Sequence, residues 1–249
     1  MKVSIITVSF NSVKTIEETI LSVLGQSYFN IEYIIIDGES KDGTKEIIEK
    51  YKHKISKIVI EKDNGIYDAM NKGISFATGD IIGILNSDDI YVDETIIEKI
   101  VNAFNENHSS DGIYSDLNYV SMLGKVIRRW ISSPIKLNLL QYGWIIPHPT
   151  LFLKKYIYDK CGNYNLSYGN ASDHEFILRI ICQYKAKLIY LNFISVNMKI
   201  GGASNKNLYN IILQNIDVIN SLKKYGIKFS YIGFIFGKIK NRLKQYHIS

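Results

Sequence analysis

Cysteine is scarce in this chain. Only Cys161 and Cys182 occur, without metal-ligand spacing, which excludes a disulfide scaffold and suits small core residues in a reducing cytosol. No apolar run approaches the roughly 20 residues of a membrane-spanning helix. The start carries no signal-peptide pattern, because the apolar stretch after Lys2 is interrupted at Asn11-Ser12 without a small-residue cleavage site. The expected location is cytoplasmic. A Gly-x-Gly-x-x-Gly turn is missing after the first expected strand, which argues against a dinucleotide cofactor. Internal repeats and low-complexity linkers are absent too.

What is present is a core. Hydrophobic residues make up 46% of 249, enough for one large α/β domain or one domain with a tail. The net charge of +6 is unevenly spread. From residue 218 onward there are seven basic residues and no acid, so the first 217 residues carry a net −1. A nucleic-acid binder is therefore disfavoured, since acids line the expected crevice and the basic residues sit elsewhere.

The pattern predicts strand and helix in alternation. Strands are expected over 3–8, 31–36, 55–60 and 81–85. Helices are expected from the Thr15-x-x-Glu18 capping box to Gly25, over 44–51 and over 66–77. Three strand–helix units followed by a fourth strand make a parallel, doubly wound half. Residues 93–105 should be helical, 112–115 a short strand, and 117–130 a hairpin turning at Gly124. An extended piece over 144–152, a helix opened by Asp173, a strand over 187–191 and a helix over 208–225 complete the expectation. Gly201-Gly202 with Ser204 reads as a flap over a ligand.

The chemistry gathers at the strand ends. Ser9, Phe10 and Asn11 follow the first strand, Asp37 the second, Asp63 the third, and Asp88 with Asp89 the fourth. Open α/β sheets bind ligands at this edge, where the first strand commonly neighbours the fourth. Two adjacent carboxylates repel unless a cation joins them, so Asp88 and Asp89 suit Mg²⁺ or Mn²⁺, hard cations that also take phosphate oxygens. Asp37 can accept hydrogen bonds from a base or ribose. A carboxylate at a helix start, Asp173, can deprotonate an attacking hydroxyl, and Asp116 competes for that role.

Four stretches in this order and spacing resemble the family 2 glycosyltransferases of the GT-A fold. They are residues 3–11, residues 33–44, Gly65-Ile66-Tyr67-Asp68-Ala69-Met70-Asn71-Lys72-Gly73, and residues 79–89, with a weaker match through His148-Pro149-Thr150 and residues 172–179. The resemblance covers roughly residues 1–204 and points towards bacterial enzymes of surface-polysaccharide synthesis. It implies a GT-A domain over 1–205, with a Rossmann-like nucleotide-binding half (1–89), an acceptor-binding half (90–205) and a mixed central sheet. Thr7, Phe10 and Asp37 would contact the nucleotide, a uridine, and Asp63 and Lys72 would lie near the nucleotide or diphosphate. Asp88 and Asp89 would hold ribose and metal, and Asp173 would be the base. The implied reaction is one inverting displacement of a hexose from a UDP-sugar onto a polyprenyl-diphosphate-linked glycan, as in O-antigen or capsule synthesis. The chain departs from the common pattern at Asn86 (often Asp), Met70 (often Arg) and Ala171-Ser172 (often Gly-Glu).

Several roles stay open on the residues. His148 is either a fixed loop histidine or a contact to metal or acceptor diphosphate. Arg179 either pairs with Asp173 or forms a structural salt bridge. Trp144 and Tyr142 form either an acceptor platform or core packing. The tail over 206–249, helical with Phe, Tyr and Ile among Lys and Arg, suits an element lying on an anionic membrane, which would make the protein peripheral on the inner face of the cell membrane. The alternatives are a metal-dependent sugar nucleotidyltransferase and a catalytically inactive nucleotide-sugar binder.

Overall fold

The computed structural model describes residues 1–200 and 208–246. The four expected parallel strands are β1 (Val3–Ser9), β2 (Ile31–Asp37), β3 (Lys57–Ile60) and β4 (Ile81–Ile84), separated by α1 (Ile16–Leu24), α2 (Thr44–Lys50) and α3 (Ile66–Phe76). Strand β1 pairs in parallel with both β2 and β4. Its neighbours in sequence point to opposite faces. Val3 and Ile5 join one core cluster with Ile16, Ile20 and Phe104, while Ile6 and Val8 join the other with Ala69, Met70 and Phe176. Both faces are thus covered, and the strands read as continuous apolar runs.

Beyond β4 the chain adds β5 (Asp89–Tyr91), α4 (Ile96–Glu106), β6 (Gly112–Val120), β7 (Val126–Trp130), α5 (Leu137–Leu140), β8 (Phe152–Lys154), α6 (Lys155–Cys161), α7 (Ser172–Leu178) and β9 (Leu188–Lys199). The order across the sheet is β3-β2-β1-β4-β8-β6-β9-β5, with β7 on β6. Strand β8 runs antiparallel to both β4 and β6, so the sheet is mixed. Gly83 is required at the β4–β8 crossing, because a Cβ there would lie 2.4 Å from the Phe152 ring.

Several local expectations change. Residues 112–120 form one strand, with its register on β9 shifting around Asp116, because pairing to β9 carries it past the expected break. Strand β9 runs to Lys199 for the same reason, and β5 forms only as its antiparallel partner. The stretch 144–152 is not extended throughout: His148–Thr150 is a 3₁₀ turn, closed by the Thr150 hydroxyl donating to the Pro147 carbonyl at 2.9 Å. Thr15 makes no side-chain cap at α1. The Gly201-Gly202 and Ser204 flap lies outside the described residues.

The tail forms α8 (Leu208–Lys224) and α9 (Tyr231–Lys244). Helix α8 packs by Val218 and Leu222 against Ala171 and Leu178, with Phe234 of α9 in the same cluster. Helix α9 approaches the Tyr142 backbone so closely that a Cβ on Gly237 would lie 2.3 Å from the Tyr142 carbonyl oxygen. No helix among the described residues is long and apolar enough to cross a membrane.

Candidate active site

The β1 edge is tied to its neighbours by side chains. Asn11 takes a left-handed conformation (φ 50°), its amide donates to Ser40 Oγ at 2.8 Å, and its side-chain oxygen accepts from the Lys41 amide at 2.9 Å. Ser12 Oγ lies 2.8 Å from Ser87 Oγ, which joins this loop to the end of β4 beside Asp88.

Asp37 ends β2. It is fully buried, Ser9 and Ser40 hydroxyls each donate to its Oδ2 at 2.7 Å, and the Ser40 amide donates to Oδ1 at 2.8 Å. These bonds hold the turn after β2. That turn presents Gly38, with Asp63 Oδ2 and the Phe10 ring 2.5 and 3.2 Å from where a Cβ would be. Phe10 is 63% exposed, leaving a flat apolar face beside a carboxylate. Thr7 is buried, its hydroxyl accepting from Tyr33 at 3.1 Å, so it meets no solvent either. Lys72 is tied to its own segment, donating to the Lys62 carbonyl at 2.8 Å and pairing with Glu61 at 3.0 Å.

The two acids after β4 behave differently. Asp89 is fully buried at the start of β5; Asn86 Nδ2 donates to its Oδ2 at 3.1 Å. Its Oδ1 and the Asn86 Oδ1 are buried with no hydrogen-bond partner among the described residues. Burial, then the charge of Asp88, pushes the Asp89 carboxyl well above the usual range, and burial also raises Asp88. Unpaired buried oxygens are costly. A hard cation would satisfy both and recover both carboxylates. Among the described residues no three His, Cys, Asp or Glu side chains gather, so the donor set offered to such a cation would be two carboxylates and an amide oxygen.

Sequence reasoning missed Lys199. It is 5% exposed at the end of β9 and donates to Glu18 Oε2 at 2.6 Å. Its charge opposes the rise of both Asp88 and Asp89. Only pairing of β9 with β6 and β5 brings it there.

A cleft of about 1210 Å³ runs from Asn86 and Met198 past Tyr67, His148 and Asp173 to the tail. Asp173 sits in the first turn of α7. Burial, then the charge and hydrogen bonding of Asp173, push the Tyr67 hydroxyl well up, and that hydroxyl lies 3.5 Å from the Asn170 carbonyl oxygen. Behind it, His148 Nε2 lies 2.6 Å from Tyr164 OH, and burial holds the imidazole below its ordinary value. Asn71 on α3 exchanges two 2.9 Å hydrogen bonds with the Tyr164 backbone, joining the floor of the cleft to the β4 side. Trp144 and Tyr142 line the cleft, Tyr142 being 46% exposed.

Two residues expected here are elsewhere. Asp116 is buried and occupied, accepting from the Ser132 amide at 2.7 Å and the Tyr190 hydroxyl at 3.0 Å. Arg179 donates to the Cys161 and Asn163 carbonyls at 2.7 and 2.8 Å and pairs with Glu175 at 2.8 Å, bracing α6 against α7. Glu175, which sequence reasoning passed over, is fully buried and also binds Lys224 and Tyr225 of the tail at 3.0 and 2.5 Å.

The model of the glycosyl transferase family 2 matches residues 4–159. This chain belongs to that family. It is 34% identical over 187 residues to an uncharacterized glycosyltransferase of Mycobacterium tuberculosis, covering 73% of this chain and 70% of the relative. It is 33% identical over 232 residues to the UDP-Glc:α-D-GlcNAc-diphosphoundecaprenol β-1,3-glucosyltransferase WfaP of Escherichia coli, covering 91% of this chain and 87% of WfaP. In fold it resembles S. aureus TarS 1-349 in complex with UDP-GlcNAc, with TM-score 0.68 and 17% identity over 98% of this chain and 82% of that one. It also resembles the mannosyltransferase PcManGT of Pyrobaculum calidifontis in complex with GDP-Man and Mn²⁺, with TM-score 0.67 and 16% identity over 98% of this chain and 70% of that one. The fold is GT-A, and the protein is a glycosyltransferase.

Proposed function

We propose that this glycosyltransferase moves a hexose from a UDP-sugar to a lipid-linked saccharide with inversion at the anomeric carbon. The observation that carries the reading is the cleft that runs from Asn86, hydrogen-bonded to the buried Asp89, to Asp173. Residues 1–89 serve as the donor half and 90–205 as the acceptor half. Phe10 and Asp63 over Gly38 offer a stacking face and an acceptor atom for a pyrimidine. Asn86, Asp88 and Asp89 would hold Mg²⁺ or Mn²⁺, whose chemistry is to neutralise the departing diphosphate. Asp173 accepts the proton of the acceptor hydroxyl as its oxygen bonds the anomeric carbon and the bond to the diphosphate breaks. Tyr67 lines the cleft beside Asp173, and Tyr164 fixes His148 behind it. A lipid-linked acceptor is favoured by the likeness to WfaP over nearly the whole chain. Surface-polysaccharide synthesis and the inner face of the membrane follow from such an acceptor.

The tail supports membrane contact. Ile232, Ile235, Phe236, Ile239 and Leu243 of α9 are each more than half exposed, at helical spacing, on the face opposite Phe234 and Gly237. Basic residues flank that stripe, as on helices that lie in an anionic interface. The deciding experiment is a nucleotide-sugar screen with Mn²⁺ and a GlcNAc-diphosphate-lipid acceptor. Transfer from a UDP-hexose is expected; no transfer from any donor overturns the reading.

A further inference from the structure

Past Asp173 the cleft opens between β7 and α9, and its charge reverses. Arg128, Arg129, Lys238, Lys240, Arg242 and Lys244 all line it, and among the described lining residues Asp173 is the sole carboxylate. The basic tail is therefore not a detached surface element, because α9 forms one wall of the reaction cleft. Its position is held by ordinary packing. Gly237 lies on the Tyr142 carbonyl, the Arg129 amide donates to the Gln245 carbonyl at 2.7 Å, and Arg128 hydrogen-bonds the Gln245 side chain.

Arg128, Lys238 and Arg242 share this wall. The Arg128 guanidinium lies 3.3 Å over the Tyr119 ring, 7% exposed. Burial, and then the charge of Arg242, lower both Arg128 and Lys238. Arg128 is buried while Lys238 and Arg242 are exposed beside it along the cleft wall, and an anion bridging them would relieve the repulsion between like charges. Guanidinium groups match phosphate oxygens in pairs, and an ammonium adds a point charge. Trp130 and Trp144 line the same cleft, offering flat faces to a sugar. The apolar stripe of α9 lies on the other side of the same helix, so a lipid leaving this wall would meet a membrane at once.

We propose that Arg128, Lys238 and Arg242 form a binding site for the diphosphate of the lipid-linked acceptor, an inference that rests on the acceptor reading above. The sugar then extends from the diphosphate towards Asp173, and the lipid runs past α9.

Tryptophan-fluorescence titration of the full chain with a short alkyl diphosphate tests this without turnover. The same alkyl chain on a neutral glucoside head, and phosphatidylglycerol micelles, serve as comparisons. The alkyl diphosphate is expected to bind at least about tenfold more tightly than either. Arg242→Gln and Lys238→Gln, two substitutions away from the core, should each weaken it about tenfold, and Arg242→Lys by no more than about threefold. UDP affinity in the presence of Mn²⁺ should stay within about twofold. Equal binding of diphosphate and phosphatidylglycerol assigns the wall to bulk lipid and overturns the proposal, as does a parallel loss of UDP affinity. If diphosphate binding holds while the donor screen finds no transfer, the site stands and the transferase reading of the acceptor falls. If transfer occurs with undiminished acceptor KM in Arg242→Gln, the transferase reading stands and the site falls.

Discussion

Glu175→Ala tests how the catalytic helix and the tail depend on each other. The carboxylate is fully buried and joins Arg179 of the helix α7 extension, Lys224 of α8 and Tyr225. Removing one partner from a buried charge network costs about 3–5 kcal/mol, because the remaining charges lose their compensation. Lys224 is 43% exposed and regains water, so the lower end, about 3 kcal/mol, is expected here. For a chain of this length about 2–4 °C is lost per kcal/mol, so the melting temperature should fall by about 6–12 °C in a calorimetric scan. Burial raises the Glu175 carboxyl, but hydrogen bonds from Tyr225 and Lys224 and the nearby Arg179 outweigh it and hold the group below its ordinary 4.5. A depressed folded-state carboxyl contributes stability in full above pH 4.5 and loses it as pH falls through the folded value. Glu175→Gln should therefore flatten the acid side of the stability profile below pH 4.5. A shift of less than about 2 °C in Glu175→Ala, with an unchanged acid limb, would refute the network's role.

Other outcomes follow from the site and the tail. Asp173→Asn should lower transfer by about 10²–10⁴ while UDP binding persists; retention of more than about a tenth of the turnover would sink the base assignment. EDTA should abolish transfer and Mn²⁺ restore it, and Asp89→Asn should raise the half-saturating Mn²⁺ at least about tenfold; full activity in EDTA contradicts the metal reading. Ile232→Ser, Ile235→Ser and Ile239→Ser together remove about 1 kcal/mol of half-inserted side chain each, so partition onto anionic liposomes should weaken about 100-fold. Unchanged flotation would detach α9 from the membrane.

The lysine at the end of β9 and the arginine just past α7 show where sequence reasoning stops. Arg179 and Asp173 lie on one short helical stretch, which suggested a shared site. The actual partners of Arg179 are Glu175 one turn away and two carbonyls at the end of α6 and just past it, a helix that carried no sequence signal strong enough to be expected. Lys199 lies beyond the strand expected over 187–191, at the end of β9. Its closest partner, Glu18, is 181 residues away, and no local pattern encodes such a pairing.

The parallel half, its helices and the edge carrying Phe10, Asp63, Asp88 and Asp89 were determined by sequence alone, because apolar runs and turn residues act over a few neighbours and the β1–β4 adjacency follows from topology. The same holds for Asp173 at a helix start. Tertiary structure alone decided that Asp37 and Thr7 turn inward, that Asn86 and Asp89 leave two oxygens unpaired among the described residues, and that the basic tail walls the cleft. Those outcomes rest on contacts such as Arg128 with Gln245, 117 residues apart, and Glu175 with Tyr225, 50 apart. Packing of whole elements sets them, and periodicity along the chain carries no record of which elements will meet.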